Sequence, residues 1–575
     1  TIFENMPVIT RNAYIENCGE QKITLEQVMS MSLDLPDKEY EMIELTGAWA
    51  RERSIKERKL EHGIQSIYSL RGCSSNNFNP FIALKRENCN EYAGEVLGFS
   101  FVYSGNFLAQ VEVDTYDVTR VMMGIHPHCF SWSLEKGESF QTPEVVMVYS
   151  NDGLNKMSQT YHKLYQRRLA RGKYRDQVRP ILVNNWEATY FDFDEEKIMD
   201  IAGTAQKLGI ELFVLDDGWF GKRNNDVAGL GDWYPNLQKL PSGISGLSRK
   251  INNLGMKFGL WFEPEMVNKN SDLYRNHPQW ILETPNRPSS HGRNQFVLDF
   301  SNPEVVIYVY NMMTEVIDKA NISYIKWDMN RPLTEVNSVL LSAQRKGETF
   351  HRYILGLYDI LGWLKERYPD LLIEGCSSGG ARFDPGILCY GAQNWASDNT
   401  DAFDRMKIQE GFSLLYPPET IGSHVSITPN HQTGRSTPLD TRYQVAKFFN
   451  LGYELDLTKC SEEERKEIQE QVQEYKQERS RFLNGRFFRH DTPNENYIMW
   501  SVVTEKECFA VIFQKFCDPL CAQSCFRLLG LEPEADYENV KDGKVYGGDE
   551  LMEAGITVSL VKEDFHVFTF RFRKL

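Results

Sequence analysis

The chain has 575 residues, more than a single hydrophobic core accommodates, and its 41% hydrophobic and 25% charged residues are typical of a globular protein. Its formal net charge of −16 argues against nucleic acids and anionic membranes as partners. No apolar run reaches the roughly 18 residues of a transmembrane helix. The 11 cysteines form no closely spaced framework, so we expect free thiols and a cytoplasmic protein.

Residues 1–178 have the pattern of an antiparallel β-domain. Short stretches at residues 66–70, 98–103 and 109–116 alternate apolar and polar side chains, as half-buried strands do. We predict a β-sandwich in this part of the chain. A helix over residues 153–171 is expected to lead into the next domain.

Between residues 179 and 490, short apolar strands alternate with amphipathic helices. Repeated βα units of this number favour a central (β/α)8 TIM barrel, of the α/β class, over an open sheet. Residues 460–482 predict a charged, solvent-exposed helix. Residues 491–575 return to strands, at 497–503 and 565–572, and predict a small C-terminal antiparallel β-domain. The predicted barrel strands are residues 180–186, 211–217, 257–263, 296–300, 324–328, 371–376, 391–396 and 420–425.

Polar and aromatic side chains recur at the ends of these strands. In a barrel of this kind the active site lies at the carboxyl ends of the strands. A single acidic residue there is often only a helix cap, but repetition over several strands indicates a site. Arg293 differs, because it lies just before the fourth predicted strand. The residues at strand ends are Trp186, Asp216, Asp217, Trp261, Glu263, Glu265, Lys326, Asp328, Glu374, Cys376 and Asp398.

Two of these residues supply the carboxylates that glycoside hydrolysis requires. Asp328 is the candidate nucleophile, and Lys326, on the same side of the strand, is expected to lower its pKa. Asp398 is the candidate general acid/base, which must be protonated in the first step, so its pKa is expected to be higher. If the two carboxyls lie at the shorter separation found in glycosidases, the reaction retains configuration through a covalent intermediate.

Other chemistries have weaker support in the sequence. Cys517, Cys521 and Cys525 are evenly spaced but have no histidine nearby, and this spacing is unlike that of zinc sites. A lone Gly-Leu-Gly at residues 229–231 lacks the context of a nucleotide-binding fold. We therefore expect no metal ion and no cofactor.

Four long motifs follow one another along the barrel. They are Leu-Asp-Asp-Gly-Trp-Phe at 215–220, Lys-Trp-Asp-Met-Asn-Arg at 326–331, Glu-Gly-Cys-Ser-Ser-Gly-Gly-Ala-Arg-Phe at 374–383 and Trp-Ala-Ser-Asp-Asn-Thr-Asp at 395–401. Together they resemble the bacterial α-galactosidases of glycoside hydrolase family 36, which are retaining enzymes with a barrel between two β-domains. The N-terminal domain of that family is usually longer than residues 1–178, so we expect this chain to begin partway through it.

The resemblance implies roles for the site residues. Asp328 matches the family nucleophile and Asp398 the acid/base. Asp216 and Asp217 match a pair that accepts hydrogen bonds from galactose hydroxyls, including the axial O4. Cys376 and Gly379 match a loop near the 2-position of the sugar, with Cys376 as a packed thiol. The other residues matched to the sugar site are Trp186, Trp261, Arg293, Lys326 and Asn330.

The implied activity is exo-acting hydrolysis of terminal α-linked galactose from melibiose, raffinose and stachyose. An α-N-acetylgalactosaminidase and an α-galactosyl transferase are alternatives on the same fold. A catalytically silent galactoside-binding protein is an alternative of another class, and the presence of both carboxylates argues against it. Because related proteins form tetramers, the resemblance allows a homo-oligomer, with a small oligosaccharide as the substrate and no nucleic-acid or membrane partner.

Overall fold

A sandwich of antiparallel sheets forms the first part of the chain. The computed structural model describes residues 1–519 and 523–575 of the whole chain. Its elements are β1 (Val8–Arg11), β2 (Tyr14–Glu16), β3 (Ile23–Leu25), β4 (Met29–Leu35), β5 (Glu41–Ala48), β6 (Arg51–Lys59), β7 (Gly63–Tyr68), β8 (Phe78–Lys85), β9 (Val96–Phe101), β10 (Phe107–Val113), β11 (Thr119–Ile125), β12 (Trp132–Leu134), β13 (Ser139–Gln141), β14 (Val145–Ser150) and α1 (Gly153–Leu164). A six-stranded sheet has the order β1-β14-β9-β8-β5-β6, and a four-stranded sheet has the order β4-β11-β10-β7. The predicted β-sandwich is confirmed.

A closed parallel barrel forms the centre of the molecule. The strands of this region are β15 (Leu182–Asn184), β16 (Leu212–Leu215), β17 (Lys257–Phe262), β18 (Met266–Val267), β19 (Phe296–Val297), β20 (Ile322–Trp327), β21 (Leu372–Gly375), β22 (Gln393–Trp395), β23 (Ile421–Ser426) and β24 (Asn450–Glu454). Eight of them close the barrel in the order β15-β16-β17-β20-β21-β22-β23-β24. The predicted (β/α)8 fold is confirmed, and its strands are apolar because both faces are covered.

One predicted barrel strand was wrong, and one barrel strand was missed. The segment 296–300 lies outside the barrel, because β17 pairs directly with β20, with Trp261 opposite Lys326. Its ordered part, β19, pairs with β18 in a separate two-stranded sheet. The eighth barrel strand is instead β24, which pairs with β15 and closes the barrel. Apolar periodicity identifies a strand but does not name its partner, so β19 was taken for a barrel strand and β24 was missed.

The α-helices of the barrel region lie between and after its strands. They are α2 (Trp186–Thr189), α3 (Glu195–Lys207), α4 (Gly243–Asn253), α5 (Asp272–Asn276), α6 (Pro303–Lys319), α7 (Thr349–Arg367), α8 (Pro385–Leu388), α9 (Ala402–Ser413), α10 (Leu439–Lys447) and α11 (Glu462–Asn484). The charged helix predicted at residues 460–482 is α11. It begins after Ser461, whose side chain accepts the Glu464 amide while the Glu464 carboxylate accepts the Ser461 amide.

The C-terminal part is a second antiparallel β-domain, as predicted. Its elements are β25 (Arg486–Arg489), β26 (Tyr497–Val503), β27 (Glu507–Gln514), β28 (Gln523–Phe526), β29 (Asp536–Asn539), β30 (Val545–Gly547), α12 (Gly548–Glu553), β31 (Ile556–Ser559) and β32 (His566–Lys574). A six-stranded sheet has the order β25-β26-β27-β32-β29-β30. Among the helices of the described residues, none combines the length and the apolar character needed to cross a bilayer.

Candidate active site

One cavity of about 790 Å³ lies at the carboxyl ends of the barrel strands. Asp328 follows β20 directly, and Asp398 lies on the loop between β22 and α9; both line this cavity. The N-terminal domain also contributes to the lining, through residues 48–49 and parts of 71–77. The predicted site residues found in the lining are Trp186, Asp216, Asp217, Trp261, Arg293, Lys326, Asp328, Asn330 and Asp398.

Four hydrogen-bond donors surround the Asp328 carboxylate. Its Oδ2 accepts from Trp261 Nε1 at 3.2 Å and from Asn330 Nδ2 at 2.9 Å. Its Oδ1 accepts from the backbone amides of Met329 at 2.8 Å and Ser378 at 3.3 Å. Since both oxygens accept hydrogen bonds, from β17 and from two loops, the carboxylate has the fixed orientation that a nucleophile needs.

Asp398 has a different environment. It is half-buried, and its Oδ2 accepts from Trp49 Nε1, on the N-terminal domain, at 2.9 Å. Burial and the negative charge of Asp328 raise the pKa of Asp398 above its usual value, while the Trp49 hydrogen bond and the charge of Lys326 oppose that rise. The net effect favours a proton on Asp398, as the first step of a glycosidase requires of its general acid.

Asp216 and Asp217 are buried acceptors, each of which is paired with a cation. Lys326 Nζ lies 3.0 Å from Asp216 Oδ2, and Arg223 Nη2 lies 2.8 Å from Asp217 Oδ2. Asn184 Nδ2 also donates to Asp216 Oδ2, at 2.6 Å. Because each carboxylate has several acceptor sites and lines the cavity, it retains capacity for the hydroxyls of a ligand.

The partner of Lys326 differs from the one expected. We predicted that Lys326 would act on Asp328, two residues further along, but its ammonium pairs with Asp216 at the end of β16. Burial disfavours the charged ammonium, yet the charges of Asp216, Cys376 and Glu454 raise the pKa of Lys326 well above its usual value. The spacing in the sequence predicts that Lys326 and Asp328 lie on the same face of one strand. In a closed barrel, however, side chains of other strands also point into the interior and can pair with Lys326.

Four further predicted residues surround the two carboxylates. Trp261 is buried and lies nearly parallel to Phe220, with ring centroids 6.1 Å apart. Asn330 bridges the Asp328 loop to the loop of Ser378, because its Oδ1 accepts from Ser378 Oγ at 2.8 Å. Trp186 is half-buried at the start of α2. Arg293 is exposed at the cavity, on a backbone with φ +54°.

Cys376 and Gly379 lie directly behind the lining of the cavity, which at this loop is formed by Ser377 and Ser378. Cys376 borders a smaller cavity that residues of α7 and α8 also line, and burial raises the pKa of its thiol well above the usual value, so it is unsuited as a nucleophile. At Gly379, where φ is +78°, a Cβ atom would lie 2.8 Å from the backbone nitrogen of Asp398. Their contact with the 2-position of a sugar stays a prediction.

Among the other lining residues, which the sequence analysis did not select, are Trp49, Glu187 and Glu454. Glu454 ends β24 and binds His424 Nδ1 at 2.8 Å. Glu454 is a polar residue at the end of a barrel strand, like the residues that were selected. It was not selected because strand β24 was not predicted. Burial and the charge of Glu454 raise the pKa of Glu187 well above its usual value. Trp49 has no local signal, since it belongs to a hairpin of another domain.

No group of three or more His, Cys, Asp or Glu side chains is arranged to hold a metal ion in residues 1–519 and 523–575. Of the evenly spaced cysteines, Cys521 lies outside the described residues.

Three family sequence models match consecutive parts of the chain. The model described as Melibiase matches residues 139–485, and the Glycosyl hydrolase family 36 N-terminal domain matches residues 1–135. The Glycosyl hydrolase family 36 C-terminal domain matches residues 497–572. The chain belongs to glycoside hydrolase family 36. The family-36 matches therefore include the barrel and both flanking β-domains.

Relatives in family 36 are similar over nearly the whole chain. Alpha-galactosidase AgaA of Geobacillus stearothermophilus is 53% identical over 568 residues, which cover 98% of this chain and 78% of that protein. Alpha-galactosidase Mel36A of Lactobacillus acidophilus is 46% identical over 579 residues, covering 100% of this chain and 79% of the relative. The crystal structure of AgaA matches with a TM-score of 0.98 at 53% identity, over 100% of this chain and 80% of AgaA.

Proposed function

We propose that this family-36 chain is a retaining exo-α-galactosidase that removes terminal α-linked galactose from small oligosaccharides of the melibiose, raffinose and stachyose type. The observation that carries the proposal is the placement of Asp328 and Asp398 in one cavity with contrasting surroundings. The substrate class is supported by AgaA, variants of which have been solved in complex with raffinose and with stachyose.

In the first step, the Asp328 carboxylate attacks the anomeric carbon of galactose. The bond from that carbon to the leaving oxygen breaks, and Asp398 gives its proton to the leaving oxygen, so that a covalent glycosyl-enzyme forms. The donors Trp261 and Asn330 keep the attacking carboxylate aligned. The raised pKa of Asp398 keeps the proton available.

In the second step, Asp398 is ionised and acts as a base. It takes a proton from a water molecule, whose oxygen attacks the anomeric carbon and displaces Asp328. Galactose leaves with its original anomeric configuration, and both carboxyls return to their starting protonation states. The Trp49 N–H stabilises the ionised form that Asp398 has between the two steps.

Selectivity for galactose rests on the buried acceptors Asp216 and Asp217, with Lys326 as a donor. Galactose and glucose differ in the orientation of O4, so a glucoside leaves polar groups of this set without partners. An unpaired buried polar group costs about 1–3 kcal/mol. That cost corresponds to roughly ten- to a hundredfold selectivity.

The test uses 4-nitrophenyl α-galactoside and 4-nitrophenyl α-N-acetylgalactosaminide, with Asp328→Asn as the inactive control. We expect nitrophenol release from the galactoside alone, and its loss in Asp328→Asn while the thermal unfolding curve stays unchanged. Activity on the acetylated sugar would keep the mechanism and overturn the specificity. No activity on either substrate, with galactose still bound in calorimetry, would instead indicate a silent binding protein.

A second variant, Asp398→Ala, tests the acid/base. Hydrolysis of raffinose should be lost, because its leaving group needs a proton, while nitrophenyl galactoside retains its first step. Azide should restore turnover of the nitrophenyl substrate and yield a galactosyl azide, since a small anion needs no general base. Equal loss on both substrates without azide rescue would remove Asp398 from this role.

We also propose that the protein works in the cytoplasm as a homo-oligomer without nucleic-acid partners. The ten described cysteines are all free, which suits a reducing compartment. The net charge of −16 disfavours nucleic acids. The homo-oligomer is proposed because the family that the sequence resembles includes tetramers. Light scattering of the purified protein measures the oligomeric state, and a monomer would contradict this proposal.

A further inference from the structure

A hairpin of the N-terminal domain reaches the barrel beside Asp398. Its strands β5 and β6 are joined at Trp49 and Ala50. Trp49 Nε1 donates to the Asp398 carboxyl, and in the opposite direction Asn399 Nδ2 donates to the carbonyl oxygen of Ala50 at 3.0 Å. The hairpin turn and the loop that carries Asp398 therefore hold each other in place.

Glu52, on strand β6 of this hairpin, is buried beside the same loop. It is only 1% exposed, and its Oε1 accepts from the Ala50 amide at 3.2 Å. Among the described residues, its Oε2 has no hydrogen-bond partner. A Cβ atom on Gly379 would lie 2.8 Å from both Glu52 Oε1 and the backbone nitrogen of Asp398, so the Glu52 carboxyl and the Asp398 loop meet at this glycine.

A carboxyl in this position is a poor choice for stability alone. A buried polar atom without a partner costs about 1–3 kcal/mol, and a glutamine at the same site would avoid a buried charge. The hydrogen bond from Ala50 accounts for one oxygen of Glu52. No contact of the second oxygen requires a carboxyl group rather than an amide at this position. What distinguishes glutamate from glutamine here is therefore its negative charge.

Three charged groups face the Glu52 carboxyl: Asp398, the adjacent Arg53, and Arg405 of helix α9. Burial raises the pKa of Glu52 to about 7, and the charge of Asp398 adds to that rise. Such coupling is reciprocal, so an ionised Glu52 resists the loss of the Asp398 proton to the same extent.

We infer that Glu52 is a positioning residue for the acid/base: it holds the Asp398 loop against the Trp49 turn, and its negative charge keeps the proton on Asp398 at the alkaline end of the active range. The inference rests on the proposed function, because Asp398 must give that proton to the leaving oxygen. Glu52 itself touches no reacting atom and acts only through Asp398.

The test is the isosteric change Glu52→Gln, with kcat/KM measured against pH on 4-nitrophenyl α-galactoside and on raffinose. Loss of the negative charge lowers the pKa of Asp398, so the alkaline limb should move to lower pH by about one unit. Turnover of raffinose should fall more than turnover of the nitrophenyl substrate, because only the sugar leaving group depends strongly on the proton. A purely structural role would change neither the limb nor this ratio.

Glu44→Gln is the matched control, since Glu44 is a buried carboxyl of β5 paired with Arg58 at 2.7 Å. The alkaline limb of kcat/KM should not move in this control variant. Folded Glu52→Gln with an unchanged limb and ratio overturns the inference. If Glu52→Gln does not fold, the neutral and similarly sized Glu52→Met replaces it: the negative charge is again absent, and the limb should again move down. An unmoved alkaline limb in this second variant also overturns the inference. If the wild-type protein itself is inactive on both substrates, the proposed function is overturned instead.

Discussion

At the scale of single residues, the two carboxylates of the cavity are held by different parts of the molecule. Asp328 takes its side-chain hydrogen bonds from Trp261 and Asn330 of the barrel. Asp398 takes its hydrogen bond from Trp49 of the N-terminal domain. Asp328 is therefore oriented by its own domain, while the proton affinity of Asp398 also depends on a neighbouring domain.

The change Trp49→Phe should shift the alkaline limb of kcat/KM to higher pH. The indole N–H stabilises ionised Asp398, so its loss raises the pKa of that carboxyl, and the acid stays protonated further up the pH scale. This direction is opposite to that expected for Glu52→Gln. Trp363→Phe, a change on α7 outside the cavity, is the control. A limb that stays in place or moves down would contradict the assigned hydrogen bond.

The change Arg223→Leu should weaken both galactose binding and folding. It leaves the buried carboxylate of Asp217 without its cation, and breaking such a pair costs about 3–5 kcal/mol. Urea unfolding measures the stability, and inhibition by galactose measures the affinity. Arg275→Leu breaks the exposed pair with Asp272 and should leave both quantities nearly unchanged. Equal behaviour of the two variants would show that Arg223 has no special role.

At the scale of elements, helix α9 and hairpin β5–β6 fit together through one glycine. Arg53, fully buried on β6, donates through Nη2 to the carbonyl oxygens of Gly380 at 2.6 Å and Phe383 at 3.1 Å. A Cβ atom on Gly411 of α9 would lie 1.8 Å from the Arg53 carbonyl oxygen. Because α9 follows the Asp398 loop, this contact sets how the hairpin approaches the cavity.

The change Gly411→Ala should therefore destabilise the protein, although alanine favours helices. The added methyl group pushes α9 away from β6, and overpacking of this kind costs about 1–3 kcal/mol. Differential scanning calorimetry should show a lower Tm, together with reduced activity. In Gly203→Ala on α3 nothing lies within 4 Å of the new Cβ, so helix propensity should raise stability by about 1 kcal/mol. A Tm for Gly411→Ala at or above the parental value would contradict the close contact.

At the scale of the whole molecule, Arg489 joins all three parts. It lies on β25 of the C-terminal sheet and contacts both carboxylate oxygens of Glu91, in the N-terminal domain, at 2.9 Å. It also donates to the carbonyl oxygen of Ser413 on α9 at 3.0 Å and to Ser158 Oγ on α1 at 3.0 Å. One guanidinium therefore connects the barrel with both β-domains.

The change Arg489→Met should uncouple the domains. It leaves Glu91 without its cation, which costs about 3–5 kcal/mol, and the unfolding transition should broaden or split. Calorimetry measures the transition. Arg573→Met, which removes an exposed pair with Glu538 inside the C-terminal domain, should leave the transition as it is. A single unshifted transition in Arg489→Met would show that the domains are coupled elsewhere.

The order of the domains and most of the site could be predicted from the sequence. Strands and helices have periods that depend on local burial, and the long helix α11 lies where the pattern predicts it. Polar residues at strand ends are local signals as well, which is why Asp216, Asp328 and Asp398 were found. The domain limits at residues 178 and 490, and the roles of the individual site residues, stay predictions.

What only the tertiary structure decided is which groups meet. β24 rather than residues 296–300 closes the barrel, since pairing depends on neighbours distant in the chain. Lys326 pairs with Asp216 because strands across a closed barrel share one interior. Trp49 and Glu52 lie beside Asp398 although about 350 residues separate them from it along the chain. No local pattern encodes such a contact between domains. Local sequence therefore specified the chemical groups, and packing specified their partners and proton affinities.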